Sequence, residues 1–146
     1  EDAFQIFPDV AKFYATMLDR KRAQAQKRKA GFEVWKTDNP KRNARLEKFF
    51  SKDVQEIDWS AIEQKQNAAT RAGSSAVLSH LADHVENMIV SSADLSNSDK
   101  TDGFLKKTTA FQKGDFKGQF LQAGVAELTM SALCTGLALH GGVIPV

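Results

Sequence analysis

Four stretches of the chain repeat apolar residues at the three- and four-residue spacing of a packed helix face, and short strand-like runs follow two of them. Behind Phe7, Pro8 and Asp9, which suit a first helical turn, Val10, Phe13, Tyr14 and Met17 form one apolar stripe, so the helix is expected to be anchored on that face. The good helix formers of residues 20–29 continue it without the stripe, and Gly31 is the expected stop. Asn39 and Pro40 open a second helix with Leu46, Phe49 and Phe50 on one side, followed by an extended connector over 54–59. From about residue 67 the texture changes. Val77, Leu78, Leu81 and Val85 mark a helix, and 88–90 a short apolar strand. The polar segment 91–118 is long enough to be expected as a functional loop. A second strand over 119–123 leads through Gly124-Val125-Ala126-Glu127 into a helix carrying Leu128, Ala132, Leu133, Leu137 and Leu139. Gly141-Gly142 ends that helix ahead of a third apolar strand. Helices alternating with short apolar strands predict an α/β fold whose parallel sheet is buried on both faces.

With 146 residues and 42% hydrophobic content, the chain has material for one ordinary core. The net charge of +2 conceals an asymmetry: residues 1–52 hold 13 Lys/Arg against 7 Asp/Glu, the remainder 7 against 11. The lone Cys134 excludes an internal disulfide and favours a reducing compartment, with cytoplasm the default. No run approaches the ~18 consecutive apolar residues of a membrane span, and residue 1 is not Met. The apolar strand cut off at Val146 adds to the expectation of a segment excised from a longer protein.

In parallel sheets, ligands gather at the carboxyl ends of strands, which singles out the polar residues after Val90 and the turn 124–127. Glu127 reads either as a ligand-facing carboxylate at a strand–helix junction or as a first-turn acid, worth ~0.3–1 kcal/mol against the helix dipole. Asp94 reads most simply as a turn or cap residue. His80 and His84 share a helix face at i, i+4, but neither a third ligand nor a glutamate beside His80 accompanies them, so a solvated pair is expected and no metal. His140 and Cys134 are expected to be structural, and Trp35 and Trp59 to anchor irregular segments. The basic run 20–29 is the one feature pointing to another class, an anion- or nucleic-acid-binding module. With few interleaved aromatics it is expected to be a solvated helix face.

These residues also carry a resemblance. Ser92-Ala93-Asp94-Leu95-x-x-Ser98 resembles the Ser-Ala-Asp-Leu-x-x-Ser loop of transketolases, and Ala69-Thr70-Arg71 precedes it at that family's spacing. Gly124-Val125-Ala126-Glu127, with Leu139-His140-Gly141-Gly142-Val143-Ile144-Pro145 after it, is similar to the strand, turn and helix that present the family's cofactor-activating glutamate. The chain departs from the family pattern at Ala126-Glu127-Leu128, where Arg-Glu-His is common, at Asn97 for a common Pro, and at Asp99 for a common Asn.

The resemblance implies a helical tail or linker over 1–66, leading out of a diphosphate-binding domain, and over 67–146 the first part of a pyrimidine-binding domain of the thiamine-diphosphate fold. It implies that Glu127 is the catalytic, cofactor-binding carboxylate, hydrogen-bonding the aminopyrimidine of thiamine diphosphate and buried beneath it, and that Arg71 and Ser98 contact substrate phosphate. The implied activity is transfer of a two-carbon ketol unit between sugar phosphates, in the pentose phosphate pathway, by a cytoplasmic homodimer using magnesium. Neither nucleic acid nor membrane is an expected partner. The family's Gly-Asp-Gly to Asn-Asn signature, which holds diphosphate and metal, is absent, so the chain alone is expected to be inactive. Deoxyxylulose-phosphate synthase, a sister enzyme sharing the Gly-x-Ala-Glu turn, is the alternative within the superfamily.

Overall fold

A computed structural model describes residues 4–51 and 56–146, which divide into two compact units, Glu1–Arg45 and Leu46–Val146. In the first unit, α1 (Pro8–Asp38) runs for 31 residues, straight through Gly31. A helical glycine costs about 1 kcal/mol relative to Ala. Against that cost, Phe32 stacks on Trp35 with ring centroids 5.6 Å apart, and Lys36 pairs with Glu33 at 3.2 Å. The stop comes instead at Asn39, ahead of a proline that disfavours helical backbone in the residue before it. Asn39 donates both its backbone N–H (2.9 Å) and its Nδ2 (3.0 Å) to the Trp35 carbonyl. The expected anchoring of the Val10–Met17 face is not seen: no residue of α1 is buried, and Phe13 and Tyr14 pack only edge to face on one another. As expected, α2 (Pro40–Phe50) begins at the proline. The connector expected over 54–59 lies partly outside the described residues, and from Trp59 the chain forms a 3-10 turn, Trp59–Ala61, capped by the Asp58 carboxylate.

The second unit is built on α3 (Thr70–His84), β1 (Met88–Ser92), α4 (Ser96–Asp99), α5 (Asp102–Leu105), β2 (Phe120–Gln122), α6 (Glu127–His140) and β3 (Ile144–Pro145). The three strands are parallel in the order β2-β1-β3, with Val90 opposite Phe120 and Met88 opposite Ile144. On one side of the sheet, Leu78, Val85, Met88, Val90, Phe104 and Phe120 form the core, with Ile57, Leu81, Ala82, Leu105 and Ala110 packed against it. On the other face α6 covers β1, where Ser91 is buried. There α6 meets β1 through Ser91 Oγ and Cys134 Sγ at 3.3 Å, while Leu137 is half-buried and Leu128 and Leu139 point outward, 86% and 84% exposed.

Segment 91–118 is not one loop. It contains two single-turn helices, places Phe104 at the centre of the core, and returns along β2 through an Ala110–Phe120 bridge. Gly142 shows why the second residue of the helix stop is glycine: it takes φ +81°, and a Cβ there would lie 2.8 Å from the Phe50 ring.

Candidate functional site

The carboxyl ends of β1 and β2 lie side by side, and the segments leaving them carry the residues singled out in the sequence. The Ala123 N–H donates to the Ser92 carbonyl at 3.0 Å, so the chain leaving β2 is tied to the end of β1. Gly124 then adopts φ +67° in a tight turn, its carbonyl accepting from the Ala126 N–H at 2.8 Å, and α6 starts at once with Glu127. The preceding residue, Ala126, has no side-chain group to cap the helix. The open amide donors and the helix dipole at this end therefore favour negative charge. Glu127 is exposed and makes no hydrogen bond or ion pair among the described residues. A carboxylate left free at the first position of a rigid helix, at a strand's carboxyl end, is available to a ligand's ring nitrogen. Its burial was expected to come from a cofactor packed on it, and within this chain it is open.

Arg71 and Ser98 stand 27 residues apart in sequence and come together in space. Arg71 lies in the first turn of α3, whose amino end likewise lacks a side-chain cap, and its guanidinium donates to the Ser98 carbonyl at 3.3 Å. That bond uses one of the guanidinium's five N–H donors. The Ser98 hydroxyl has no partner among the described residues, since the Arg71 contact is to its backbone. Guanidinium, hydroxyl and an uncapped helix amino end at one place form a donor set suited to a phosphate monoester.

The loop between β1 and α4 shows what sequence reasoning missed. Asp94 takes a left-handed conformation at φ +65°, tolerated by Asp because its short polar side chain limits the clash, but its carboxylate caps nothing among the described residues. The turn is instead organised by Ser92 and Asp99. Ser92 Oγ accepts the Leu95 N–H at 3.2 Å and donates to Asp99 Oδ2 at 2.9 Å. Asp99 Oδ1 accepts both the backbone N–H (2.9 Å) and the hydroxyl (2.8 Å) of Thr101. The Asp-x-Thr spacing was the available signal for this turn.

His80 and His84 stack with ring centroids 4.2 Å apart, His84 Nδ1 bonding the His80 carbonyl at 2.8 Å. The pair is not simply solvated as expected, because His80 Nε2 is buried without a partner among the described residues. Those residues contain no group of three or more His, Cys, Asp or Glu side chains placed to hold a metal ion. His140 stacks loosely on Phe50, with centroids 6.0 Å apart at the end of α6, in keeping with a structural role. The basic run 20–29 lies along the exposed surface of α1. No helix of the described residues is long and apolar enough to cross a membrane.

Comparison with known proteins places this architecture. A transketolase from Halalkalibacterium halodurans is 30% identical over 147 residues, an alignment covering 98% of this chain and 22% of that protein. The structure of a transketolase from Leishmania mexicana superposes with a TM-score of 0.81 at 22% identity, over 99% of this chain and 22% of that one, a likeness of fold. A Pichia stipitis transketolase solved in complex with sedoheptulose-7-phosphate superposes with a TM-score of 0.75 at 26% identity, over 97% of this chain and 22% of that one. The chain therefore spans about a fifth of the length of these relatives. Residues 66–146, more than half of the chain, match the family described as the transketolase pyrimidine-binding domain, and to that family this α/β chain belongs.

Proposed function

We propose that this chain is the segment of a transketolase that supplies the carboxylate facing the aminopyrimidine of thiamine diphosphate, together with part of the substrate-phosphate site. Residues 1–66 form the tail or linker from a preceding diphosphate-binding domain, and residues 67–146 the first part of the pyrimidine-binding domain. The intact enzyme transfers a two-carbon ketol unit from a ketose phosphate to an aldose phosphate. The Pichia stipitis relative's complex with sedoheptulose-7-phosphate supports a sugar phosphate as substrate. It works as a cytoplasmic homodimer of the pentose phosphate pathway, with magnesium and diphosphate held by residues outside this segment.

The observation that carries the reading is one of topology. Two adjacent parallel strands lead to Ser98 and to Glu127 at the same end of the sheet, with the Ala123–Ser92 hydrogen bond joining their exits and Arg71 of α3 docked on the Ser98 carbonyl. When bound, thiamine diphosphate would supply a carbon acid able to act as the nucleophile toward a ketose carbonyl. Glu127 would hold a proton in a hydrogen bond to the pyrimidine ring nitrogen and so set the ring's tautomer. Arg71 and the Ser98 hydroxyl bind the phosphate and so orient the sugar. The Ser-Ala-Asp-Leu loop favours this assignment over deoxyxylulose-phosphate synthase.

The test is Arg71→Ala in the full-length enzyme. We expect KM for phosphorylated donors to rise at least ~10-fold, as for loss of a charge-assisted contact of about 1.5–3 kcal/mol, and KM for unphosphorylated donors to change little. Equal loss for both donor classes would assign Arg71 to structure and remove the phosphate site from the account.

A further inference from the structure

We propose that Asp99 is a positioning residue of the phosphate site: its carboxylate holds the Ser98 backbone where Arg71 is docked on it. The inference rests on the assignment of Arg71 and Ser98 to substrate phosphate. It concerns a residue that touches neither substrate nor cofactor.

Ser98 sits on α4, a single helical turn that cannot hold its own shape, because one turn forms too few internal hydrogen bonds to offset the ordering of its residues. Its amide and that of Asp99 both donate to the Leu95 carbonyl, at 2.7 and 2.9 Å, which fixes the turn only relative to Leu95. Leu95 is itself 54% exposed and follows the left-handed Asp94, so the turn needs an outside anchor. Asp99 supplies it from both sides. One carboxylate oxygen accepts from Ser92 Oγ, on a residue only 3% exposed at the end of the central strand. The other accepts two hydrogen bonds from Thr101, just before α5, the element whose Phe104 is locked in the core. The carboxylate thus spans from the sheet to the core-anchored helix, and Ser98, one residue before it, is carried on that span. Arg71 reads the result, since its guanidinium bonds the Ser98 carbonyl. Hydrogen bonds to an ionised acceptor are about twice as strong as neutral ones, which suits an exposed turn that must stay fixed.

Asn at position 99 retains much of this geometry. Its amide oxygen accepts the two Thr101 donors, and its amide nitrogen donates to Ser92 Oγ in place of accepting from it. Ala retains none of these bonds.

The experiment measures donor kinetics of the full-length enzyme for Asp99→Ala, Asp99→Asn, Ser92→Ala, Arg71→Ala and the double variant Arg71→Ala/Asp99→Ala, each with a ketose phosphate and an unphosphorylated ketose. For Asp99→Ala the expected result is a roughly tenfold rise in KM for the phosphorylated donor alone, with kcat within about twofold of wild type. Asp99→Asn should recover most of that loss. Ser92→Ala, which cuts the same link at its other end and leaves the Thr101 bonds, should give a smaller rise of the same kind. The double variant should fall well short of the product of the two single effects, because Asp99 acts largely through the Ser98 carbonyl on which Arg71 docks. A normal KM in Asp99→Ala, or multiplying effects in the double variant, would overturn the role of Asp99 while leaving the phosphate site in place. If Arg71→Ala itself fails to distinguish the donors, the site assignment falls and the role of Asp99 falls with it.

Discussion

Truncating Phe104 to alanine tests how the segment that carries the proposed phosphate site is held to the fold. Phe104 is completely buried and lies in the core cluster with Leu78, Val85, Met88, Val90 and Phe120. Segment 91–118 contributes it to that cluster, with Leu105 and Ala110 packed against it. Removing a phenyl ring from such a site costs about 3–5 kcal/mol, the sum of lost transfer free energy and the cavity left behind. At 1.4 kcal/mol per factor of ten, the openings that expose this core should become roughly a hundred- to several-thousand-fold more frequent. Hydrogen exchange on the full-length enzyme reads this at two amides: Val90, which donates to the Gln119 carbonyl at 3.0 Å, and Phe111, which donates to the Phe120 carbonyl at 2.9 Å. Phe104→Leu, which keeps most of the apolar volume, should show a much smaller acceleration. If Phe104→Ala left both amides within about threefold of wild type, Phe104 would not be the anchor of the segment, and the rigidity attributed to the Thr101–Asp99 link would lose its support.

Two further outcomes follow from the charge distribution and the donor set. The hydrogen bond from Lys107 holds the Asp83 carboxyl below its ordinary range, tying α3 to the end of α5. A depressed folded-state pKa contributes stability that is present above the usual carboxylate value of about 3.9 and lost as pH falls through the lower folded value. Thermal unfolding followed from pH 5 to pH 3 should therefore fall slightly more steeply for the wild type than for Asp83→Asn, the difference being small because the pair is exposed; identical slopes would show that the pair contributes nothing. The 146-residue chain alone should bind thiamine diphosphate weakly and show no ketol transfer, since its described residues include no metal-holding cluster; submicromolar binding by calorimetry in the presence of magnesium would contradict this.

What the sequence disclosed, and what it concealed, follows from the range of the interactions involved. The helix over 70–84, the strand at 88–90 and the turn into α6 were legible because periodicity, Gly punctuation and a strand–turn–helix pattern are local signals. Gly31 misled because its helix cost is offset by neighbours one turn on, the Phe32–Trp35 stack and the Glu33–Lys36 pair, which spacing alone does not weigh. The segment 91–118 hid its order because two four-residue helices are too short to show a period, and the burial of Phe104 depends on residues of α3 and β2 far away in sequence. The outward leucines of α6 were invisible for the opposite reason: an apolar residue announces that it is suited to burial, not that a partner surface lies within the same chain. Within the site, Glu127, Arg71 and Ser98 were proposed from motif resemblance, and the Arg71–Ser98 contact is long-range. The Ser92–Asp99 link spans seven residues and joins the end of a strand to a single helical turn, so no periodic pattern reported it.

The measurement that bears most directly on the central claim is the turnover of Glu127→Gln in the full-length enzyme at saturating thiamine diphosphate and magnesium, with circular dichroism and thermal unfolding as controls for the fold. Glu127 is exposed and its carboxylate makes no hydrogen bond among the described residues, so its replacement by an isosteric amide should leave the fold and thermal stability unchanged. An amide cannot hold a proton for the pyrimidine nitrogen as a carboxyl group does, and turnover should fall by about 10²–10⁴-fold, the usual contribution of a positioned acid–base group. Near-wild-type turnover with an intact fold would contradict the assignment of Glu127 as the cofactor-facing carboxylate.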